Sequence, residues 1–176
     1  GAMGSGIAQV AAMAGNDVKI YDADDSAMRR ASKNIRDSLV RFVERGKMTE
    51  ENAEKIAANI SFTERLNGLG ASELIIEAAI EDLEIKKSLF SEVEMYVSDT
   101  CILATNTSSL SVSAIAAACQ KPERVLGIHF FNPPVLMQLV EIIPAVQTPP
   151  SVSDTAKAMI DSWGKKTVLA KDTPGF

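Results

Sequence analysis

The chain has 176 residues, of which 46% are apolar and 23% are charged, a composition that suits one folded domain and excludes a disordered chain. The net charge is −5 and the basic residues are scattered, so the sequence predicts no face that binds nucleic acid. It contains no apolar run near the roughly 20 residues that a membrane span requires, so we expect no membrane partner.

Short apolar segments alternate with amphipathic ones along most of the chain, which predicts an α/β fold with a parallel sheet covered by helices on both faces. The apolar segments are too short for helices, and several are rich in Val and Ile, as is typical of buried strands. They predict strands at 18–21, 74–78, 102–104, 125–130, 139–143 and 167–170. The other segments predict helices that end near residue 15 or cover 25–45, 49–59, 83–97, 112–119 and 152–163.

The helices at 25–45 and 49–59 are predicted to form a hairpin inserted between two strands. Thr49 is placed to cap the second of them, because its hydroxyl can accept a hydrogen bond from a backbone N–H of the first turn. A minimal nucleotide-binding fold does not require this hairpin. It either binds a ligand or only shields the sheet.

The two cysteines, Cys101 and Cys119, lie in apolar or helical surroundings without the spacing of a metal site, and the chain has a single histidine. We therefore expect no metal and two reduced core thiols. This use of cysteine indicates a reducing compartment, either the bacterial cytoplasm or the mitochondrial matrix.

The chain opens with a glycine turn, a helix, a strand and then an acid, the order found in dinucleotide sites. Gly1 and Gly4 match the last part of the pattern G-x-G-x-x-G, in which glycines let the backbone approach a pyrophosphate at the helix N-terminus. Asp22 stands 21 positions after Gly1, where an acid accepts hydrogen bonds from the adenosine ribose. The first five residues also match the remnant that tag removal leaves, so this alternative stays open.

Asp22 also bears on the choice of cofactor. Its carboxylate would repel a 2′-phosphate, and residues 23–25 supply no Arg to compensate, so NAD is favoured over NADP.

Two polar residues interrupt neighbouring apolar strands near the other end of the chain. His129 lies at the end of the strand at 125–130, at the carboxyl edge where such sheets bind ligands. Glu141 interrupts the strand at 139–143, where an unpaired carboxylate would be costly to bury. A pair formed by the two would fix the imidazole tautomer, as a general base requires. The alternative is a structural His that a strand-end Glu satisfies.

The segment 104–109 follows another predicted strand and carries several hydroxyls, including that of Ser108. A hydroxyl at this edge could bind a substrate oxygen. The alternative is that these residues only cap the next helix, which is the commoner use of Ser and Thr there.

Six segments resemble, in the same order, the NAD-binding domain of the L-3-hydroxyacyl-CoA dehydrogenase family, which includes 3-hydroxybutyryl-CoA and 3-hydroxyadipyl-CoA dehydrogenases. The resemblance spans the whole chain and implies a Rossmann-type, doubly wound, mostly parallel sheet. The segments are GAMGSGIAQ from Gly1, Glu77-Ala78 with Glu81 and Lys86, NTSS from Asn106, HFFNP from His129, LVE from Leu139 and DTPGF from Asp172.

The resemblance implies a role for each matched residue. His129 is the expected catalytic base and Glu141 its partner, while Ser108 and Asn132 are expected to hold the substrate and the nicotinamide. The expected cofactor-binding residues are Gly1, Met3, Gly4, Asp22, Glu81, Lys86 and Asn106. Without the family, Glu81 and Lys86 alone would more simply be a solvated helix start.

The resemblance also implies that the helical hairpin contacts CoA. Ser38 and Arg45, together with Arg41 and Lys47, are the candidates for contacts with CoA. An ordinary charged helix face is an equally good interpretation of these residues.

The implied reaction is the reversible, NAD-dependent oxidation of the 3-hydroxyl of a 3-hydroxyacyl-CoA to a ketone, in fatty-acid or related acyl-CoA metabolism. We expect the whole chain, 1–176, to be an NAD-binding domain whose first strand precedes Gly1. In the family a helical domain follows and forms a homodimer, and without it we expect little activity. The alternatives are a dehydrogenase of a free 3-hydroxyacid and a non-catalytic NAD-binding protein on the same scaffold.

Overall fold

The computed structural model describes residues 1–173 and 175; Pro174 and Phe176 of the last matched segment lie outside them. The helices are α1 (Ala2–Met13), α2 (Asp25–Glu44), α3 (Glu50–Ala58), α4 (Leu83–Val93), α5 (Val112–Ala116) and α6 (Pro150–Ser162). The strands are β1 (Val18–Tyr21), β2 (Ile60–Thr63), β3 (Leu74–Glu77), β4 (Ile102–Thr105), β5 (Val125–Phe130), β6 (Leu139–Pro144) and β7 (Lys166–Leu169).

The strands form a five-stranded sheet in the order β3-β4-β5-β6-β7 and a two-stranded sheet of β1 and β2. All neighbouring strands are parallel except β5 and β6, which are antiparallel. The strands β3, β4 and β5 therefore end at the same edge, where β6 begins. The prediction of an α/β fold with a mostly parallel sheet is confirmed.

Helices cover both faces of the larger sheet, as a doubly wound fold requires. On one face, Phe90 of α4 and Ile115 of α5 pack in a core cluster with Leu103 and Val125 of the sheet. On the other face, α1 and α6 form a second cluster with Ile102, Leu126 and Ile128. Side chains of one strand alternate between the two clusters, so the sheet is buried on both sides.

The predicted helical hairpin is present. Helices α2 and α3 join β1 to β2, and the hydroxyl of Thr49 accepts a hydrogen bond from Asn52 N, which confirms the predicted cap. Asp24 caps α2 in the same way, since its carboxylate accepts from Ser26 N. Helix α2 packs on α1 and α3.

A cavity of about 1590 Å³ lies between the two sheets. Its walls include all of β1 and β3, and it reaches Gly1, Gly4 and Asp22. Among the described residues, no strand pairs with the edge of β1 opposite β2 or with the edge of β3 opposite β4.

The structure contains one strand that was not predicted, and two helices end earlier than predicted. Strand β2 was not predicted, because its four residues are half-exposed and give no continuous apolar run; it forms by parallel pairing with β1. Helix α4 ends at Val93, four residues earlier than predicted, and the chain continues in a tight turn in which Met95 N and Tyr96 N donate to the carbonyls three residues before them. Helix α5 ends at Ala116 in a tight turn, although its apolar periodicity continues to Cys119.

Both cysteines are unpaired thiols inside the first core cluster, as predicted. Burial raises the pKa of Cys101 to about 11 and that of Cys119 to about 12. Both therefore stay protonated near neutral pH and are poor nucleophiles.

Neither a metal centre nor a membrane helix is found in residues 1–173 and 175. No group of three or more His, Cys, Asp or Glu residues among them could hold a metal ion. No helix among them is long and apolar enough to cross a bilayer.

Candidate active site

The structure brings His129 and Glu141 together. In the antiparallel ladder of β5 and β6, these two residues are direct partners. Their side chains point to the same side of the sheet, and Nδ1 of His129 lies 2.7 Å from Oε2 of Glu141. Both side chains are mostly buried, and the ring of Phe131 lies 4.8 Å from the imidazole ring, centroid to centroid. The register therefore sets the contact that the sequence predicted.

Asn106 joins the ends of three strands at this edge. Its backbone N–H donates to the carbonyl of Glu77 at the end of β3, and its side-chain oxygen accepts from the N–H of Phe130 at the end of β5, both at 2.8 Å. Asn132 follows β5 two residues later and is exposed. The carboxyl edge of the sheet thus presents both predicted asparagines.

Glu81 binds the loop between β4 and α5. Its Oε1 accepts hydrogen bonds from the hydroxyl of Thr107, from Ser108 N at 3.1 Å and from the hydroxyl of Ser109 at 3.1 Å. Burial opposes ionisation of Glu81, but these hydrogen bonds and the charge of Lys86 outweigh it, so the pKa of Glu81 lies below its usual value. The side chain of Ser108 is exposed at this edge.

Behind Glu81 lies an ion pair with almost no access to solvent. Nζ of Lys86 lies 2.7 Å from Oε1 of Glu77, and the two side chains are 1% and 3% exposed. The same ammonium lies 3.4 Å from Oε2 of Glu81. Oε2 of Glu77 accepts from the hydroxyl of Thr105 at 2.8 Å. The interpretation of Lys86 as part of a solvated helix start was wrong.

The glycine turn and the predicted acid meet at the start of α1. Gly1 is the N-cap of α1 and provides no side-chain cap for the N–H groups of the first turn. Its nitrogen lies 3.9 Å from Oδ2 of Asp22. A Cβ at Gly4 would lie 3.8 Å from Cβ of Ala78, just beyond β3, whereas Met3 is half-buried against the second core cluster.

The model of the family described as "3-hydroxyacyl-CoA dehydrogenase, NAD binding domain" matches residues 1–173. The chain belongs to the 3-hydroxyacyl-CoA dehydrogenase family. It aligns with the NAD-binding domain of that family, so NAD is the cofactor of this domain.

Members of the family resemble the chain over its whole length. The 3-hydroxyadipyl-CoA dehydrogenase of Escherichia coli (strain K12) is 43% identical over 176 residues, which are 100% of this chain and 37% of that protein. The mitochondrial hydroxyacyl-coenzyme A dehydrogenase of Sus scrofa is 37% identical over 185 residues, covering 100% of this chain and 58% of that protein.

A solved structure shows the same fold. The crystal structure of 3-hydroxybutyryl-CoA dehydrogenase from Escherichia coli K12 matches with a TM-score of 0.97 at 43% identity, covering 100% of this chain and 37% of that one. The chain thus spans between 37% and 58% of the length of these relatives.

The start of α1 suits the pyrophosphate of NAD. The first-turn N–H groups have no side-chain cap, the glycines leave the backbone accessible, and Asp22 lies beside them. A dinucleotide site needs this combination of a helix N-terminus, an uncovered backbone and an acid for the ribose.

The candidate CoA residues lie elsewhere, on the hairpin. Ser38 is half-buried on α2, whereas Arg41, Arg45 and Lys47 are exposed. Nζ of Lys47 lies 5.8 Å from the centroid of the Phe42 ring. The four residues lie on α2 or in the turn after it, whereas His129 and Glu141 lie on β5 and β6.

Two residues of the site had no predicted role. Glu77 lies in a segment that resembles the family, but no role was predicted for it. It is an acid at the end of the apolar segment 74–76, so the signal that identified Glu141 could also have identified Glu77. Asp172 accepts from Val112 N at 2.8 Å, from Ser113 N at 2.7 Å and from the hydroxyl of Ser111 at 3.2 Å. It thereby fixes the start of α5, directly after the Ser108 loop. No local pattern reveals this contact, because about 60 residues separate the partners.

Proposed function

We propose that the protein catalyses the reversible oxidation of the 3-hydroxyl of a 3-hydroxyacyl-CoA to a ketone, with NAD as the redox partner. The contact of 2.7 Å between His129 and Glu141 carries this proposal. It supplies a base with a fixed tautomer at the edge where β3, β4 and β5 end, and the glycine turn lies beside the end of β3.

His129 removes the proton of the substrate hydroxyl. With Glu141 ionised, Nδ1 donates its proton to the carboxylate, so Nε2 carries the lone pair that accepts the substrate proton. The imidazolium formed in this step is stabilised by the negative charge of Glu141. In the reverse direction Nε2 returns the proton to the ketone oxygen.

Ser108 donates a hydrogen bond to the same substrate oxygen, and Asn132 helps to hold the substrate against the nicotinamide. Because the alcohol oxygen gains negative charge as its proton leaves, a fixed donor at that point lowers the barrier. The exposure of both side chains at the sheet edge supports these roles.

NAD supplies the acceptor for the two electrons and the hydrogen that leave C3 of the substrate. The N–H groups at Gly1, Met3 and Gly4 bind the pyrophosphate, and Asp22 accepts from the adenosine ribose. Asn106, Glu81 and Lys86 belong to the nicotinamide side of the cofactor site. Of these three, Lys86 has its ammonium between the carboxylates of Glu77 and Glu81.

The hairpin binds CoA in this proposal. Ser38 and Arg45, with Arg41 and Lys47, offer a hydroxyl and three cations on neighbouring turns, which suits the phosphates of CoA. The exposure of the three cations supports this role.

The substrate class is tested with the full-length protein by following NADH absorbance with acetoacetyl-CoA and with free acetoacetate. We expect turnover of the thioester and a kcat/KM at least about a hundredfold lower for the free acid, because remote binding energy from CoA contributes to the rate. Equal rates with the free acid would favour a free-acid dehydrogenase. NADH binding without turnover of either compound would favour a non-catalytic NAD-binding protein.

We also propose that a further strand fills the gap between β1 and β3. Both edges that face the cavity have unpaired backbone groups among the described residues, and such edges are normally paired or covered. Hydrogen exchange tests this, since amides of β1 and β3 should be better protected in the full-length protein than in residues 1–176 alone. Equal exchange in the two proteins would contradict it.

We further propose that a helical domain outside this chain forms a homodimer. We also propose that the protein is located in the bacterial cytoplasm or the mitochondrial matrix. The greater length of the relatives supports the additional domain. Large apolar side chains exposed on or near β6 and β7 would be covered by it: Leu136, Met137, Leu139, Val168 and Leu169. Sedimentation should give a dimer for the full-length protein and a monomer for residues 1–176.

A further inference from the structure

The segment between β5 and β6 carries Asn132 and belongs to no helix or strand. We call residues 132–137 the Asn132 turn. Within it, Leu136 N and Met137 N both donate to the carbonyl of Pro133, each at 3.0 Å. These bonds close the turn on itself, but they do not fix its position relative to the sheet. Contacts from outside the turn must do so, since Asn132 has a proposed role beside the nicotinamide.

Lys165 supplies such a contact from the connection between α6 and β7. Its Nζ donates to the carbonyl of Pro134 at 2.6 Å and to that of Met137 at 2.8 Å. Gly164, directly before it, has a φ of 77°, a left-handed conformation that favours glycine and lets the chain change direction after α6. The ammonium therefore binds the Asn132 turn at two points.

This side-chain contact goes beyond what the sheet already provides. Lys166 N donates to the carbonyl of Gln138 at 2.9 Å, and Lys166 pairs with Leu139 in the parallel ladder of β6 and β7. The ladder thus holds the two strands together without the side chain of Lys165. Removal of that side chain should loosen the Asn132 turn and leave the sheet intact.

The environment of Lys165 also suits a role in holding backbone. Lys165 is half-buried, and it donates to carbonyl oxygens and forms no ion pair with any carboxylate of residues 1–173 and 175. Burial lowers its pKa below the usual value, because the ammonium loses hydration. A charged donor forms stronger hydrogen bonds than a neutral one. The two carbonyls are therefore firmly held while the ammonium is charged.

Helix α1 supports the other side of the turn. Pro134 is buried, and a Cβ at Gly6 would lie 2.9 Å from its Cδ. Gly6 belongs to α1, the helix whose first turn is proposed to bind the pyrophosphate of NAD. Pro134 is thus held between α1, which contacts its ring, and Lys165, which binds its carbonyl. These two contacts fix the Asn132 turn relative to the proposed cofactor site.

We propose that Lys165 is a positioning residue, which holds the Asn132 turn so that the side chain of Asn132 stays beside the nicotinamide and the substrate at His129. This inference rests on the proposed dehydrogenase function. Lys165 itself contacts neither NAD nor the substrate in this role. A misplacement of about 1 Å can lower a rate by about a hundredfold, so even a partial loosening of the turn should lower turnover.

The test uses the full-length protein with Lys165→Met and Lys165→Arg. Methionine keeps an unbranched apolar side chain but donates no hydrogen bond, so kcat with acetoacetyl-CoA should fall by about tenfold, while the Kd for NADH changes less than about threefold. A guanidinium can donate to both carbonyls, so Lys165→Arg should keep kcat within about threefold of wild type. Wild-type kcat in Lys165→Met, or equal losses in the two variants, would overturn the proposal.

A matched control is Lys157→Met, the same substitution on α6. Nζ of Lys157 donates to Oδ2 of Asp161 at 2.7 Å, and both residues lie on that helix. The change therefore removes a charged hydrogen bond without touching the Asn132 turn. It should alter kcat by less than about twofold. A loss of kcat equal to that of Lys165→Met would contradict the proposal.

A double-mutant cycle tests whether Lys165 acts through Asn132. Asn132→Ala should itself lower kcat by about tenfold. Because Lys165 then has no catalytic contact left to position, adding Lys165→Met should lower kcat by less than about threefold more. A further tenfold loss is the result expected of a merely structural lysine, and it would overturn the proposed route through Asn132.

Hydrogen exchange separates this inference from the proposed function. The amides of Leu136 and Met137 close the Asn132 turn, so they should exchange faster in Lys165→Met and at the wild-type rate in Lys157→Met. This readout needs no turnover. Wild-type protein that fails to reduce acetoacetyl-CoA would refute the function only, and unchanged exchange would refute the positioning role. Should Lys165→Met not fold, Lys165→Gln, which is shorter and uncharged, has the same expected results and the same refuting ones.

Discussion

The two sides of the candidate active site are held in place by different means. His129 and Glu141 lie opposite each other in a β-ladder, so backbone hydrogen bonds set their distance. The Ser108 loop has no such ladder and is held by carboxylates at both ends, Glu81 before it and Asp172 after it. The proposed base is therefore positioned by secondary structure, and Ser108, the proposed donor to the substrate oxygen, is positioned by carboxylates.

This difference predicts different responses to substitution. A change in the His129 pair alters proton transfer and leaves the backbone in place, because the ladder does not depend on these side chains. A change in the carboxylates that hold the loop alters geometry first and chemistry as a consequence.

The largest effect is expected for His129→Gln. Glutamine fits the ladder position but cannot accept the hydroxyl proton, so kcat should fall by about 10² to 10⁴. The Kd for NADH should remain nearly unchanged, since the glycine turn is untouched. Steady-state assays with acetoacetyl-CoA and titration with NADH measure the two quantities. Unchanged turnover would show that His129 is not the catalytic base.

Glu141→Gln should lower kcat by about a hundredfold, at the lower end of the range expected for His129→Gln. The amide can still face Nδ1, but it no longer stabilises an imidazolium. Because the ladder fixes the ring, a crystal structure of the variant should show the imidazole in its wild-type position. A displaced ring would mean that the carboxylate, and not the backbone, positions the base.

The sequence predicted the His129–Glu141 pair better than it predicted the contacts that hold the Ser108 loop. His129 and Glu141 are each recognisable as a polar residue in an apolar strand, and the sheet pairs them with no further information. Thr107 and Glu81 are separated by 26 residues, and neither segment has a sequence pattern that predicts their contact. Contacts of this kind require the folded arrangement of strand ends and loops.

The same contrast applies to the fold. Strands β4 and β5 were predictable because burial on both faces leaves continuous apolar runs. Strand β2 lies in a two-stranded sheet with half-exposed residues, so only its pairing with β1 defines it. Burial on both faces thus leaves a pattern in the sequence, and the half-exposed strand β2 lacks that pattern.

A smaller effect is expected where α1 meets the turn that carries Asn132. A Cβ at Gly6 would lie 2.9 Å from Cδ and 3.0 Å from Cγ of Pro134, a rigid ring, so the helix or the turn must shift. Gly6→Ala should lower the free energy of unfolding by about 1 to 3 kcal/mol, and kcat/KM should fall severalfold as Asn132 moves.

Gly4→Ala is the stability control for this change, because its Cβ would meet only Ala78, at an ordinary 3.8 Å. Urea unfolding should show no loss for this control, since alanine favours the helix. Equal losses in the free energy of unfolding for the two variants would show that the contact with Pro134 is not close enough to destabilise the fold. They would also show that α1 does not position the turn that carries Asn132.

The smallest effect concerns the other end of the Ser108 loop. Burial opposes ionisation of Asp172, but the hydrogen bonds from Ser113, Val112 and Ser111 outweigh it and hold the pKa of Asp172 below its usual 3.8. The ionised form is thus favoured in the folded state, so its stabilisation is fully present above about pH 3.8 and is lost as pH falls through the lower folded-state pKa. At pH 7, Asp172→Asn should cost about 1 kcal/mol, as expected for a helix cap. Urea unfolding at several pH values should show this difference constant above pH 5 and shrinking below 3.8. A difference that grows in acid would mean that Asp172 does not hold the loop as a carboxylate.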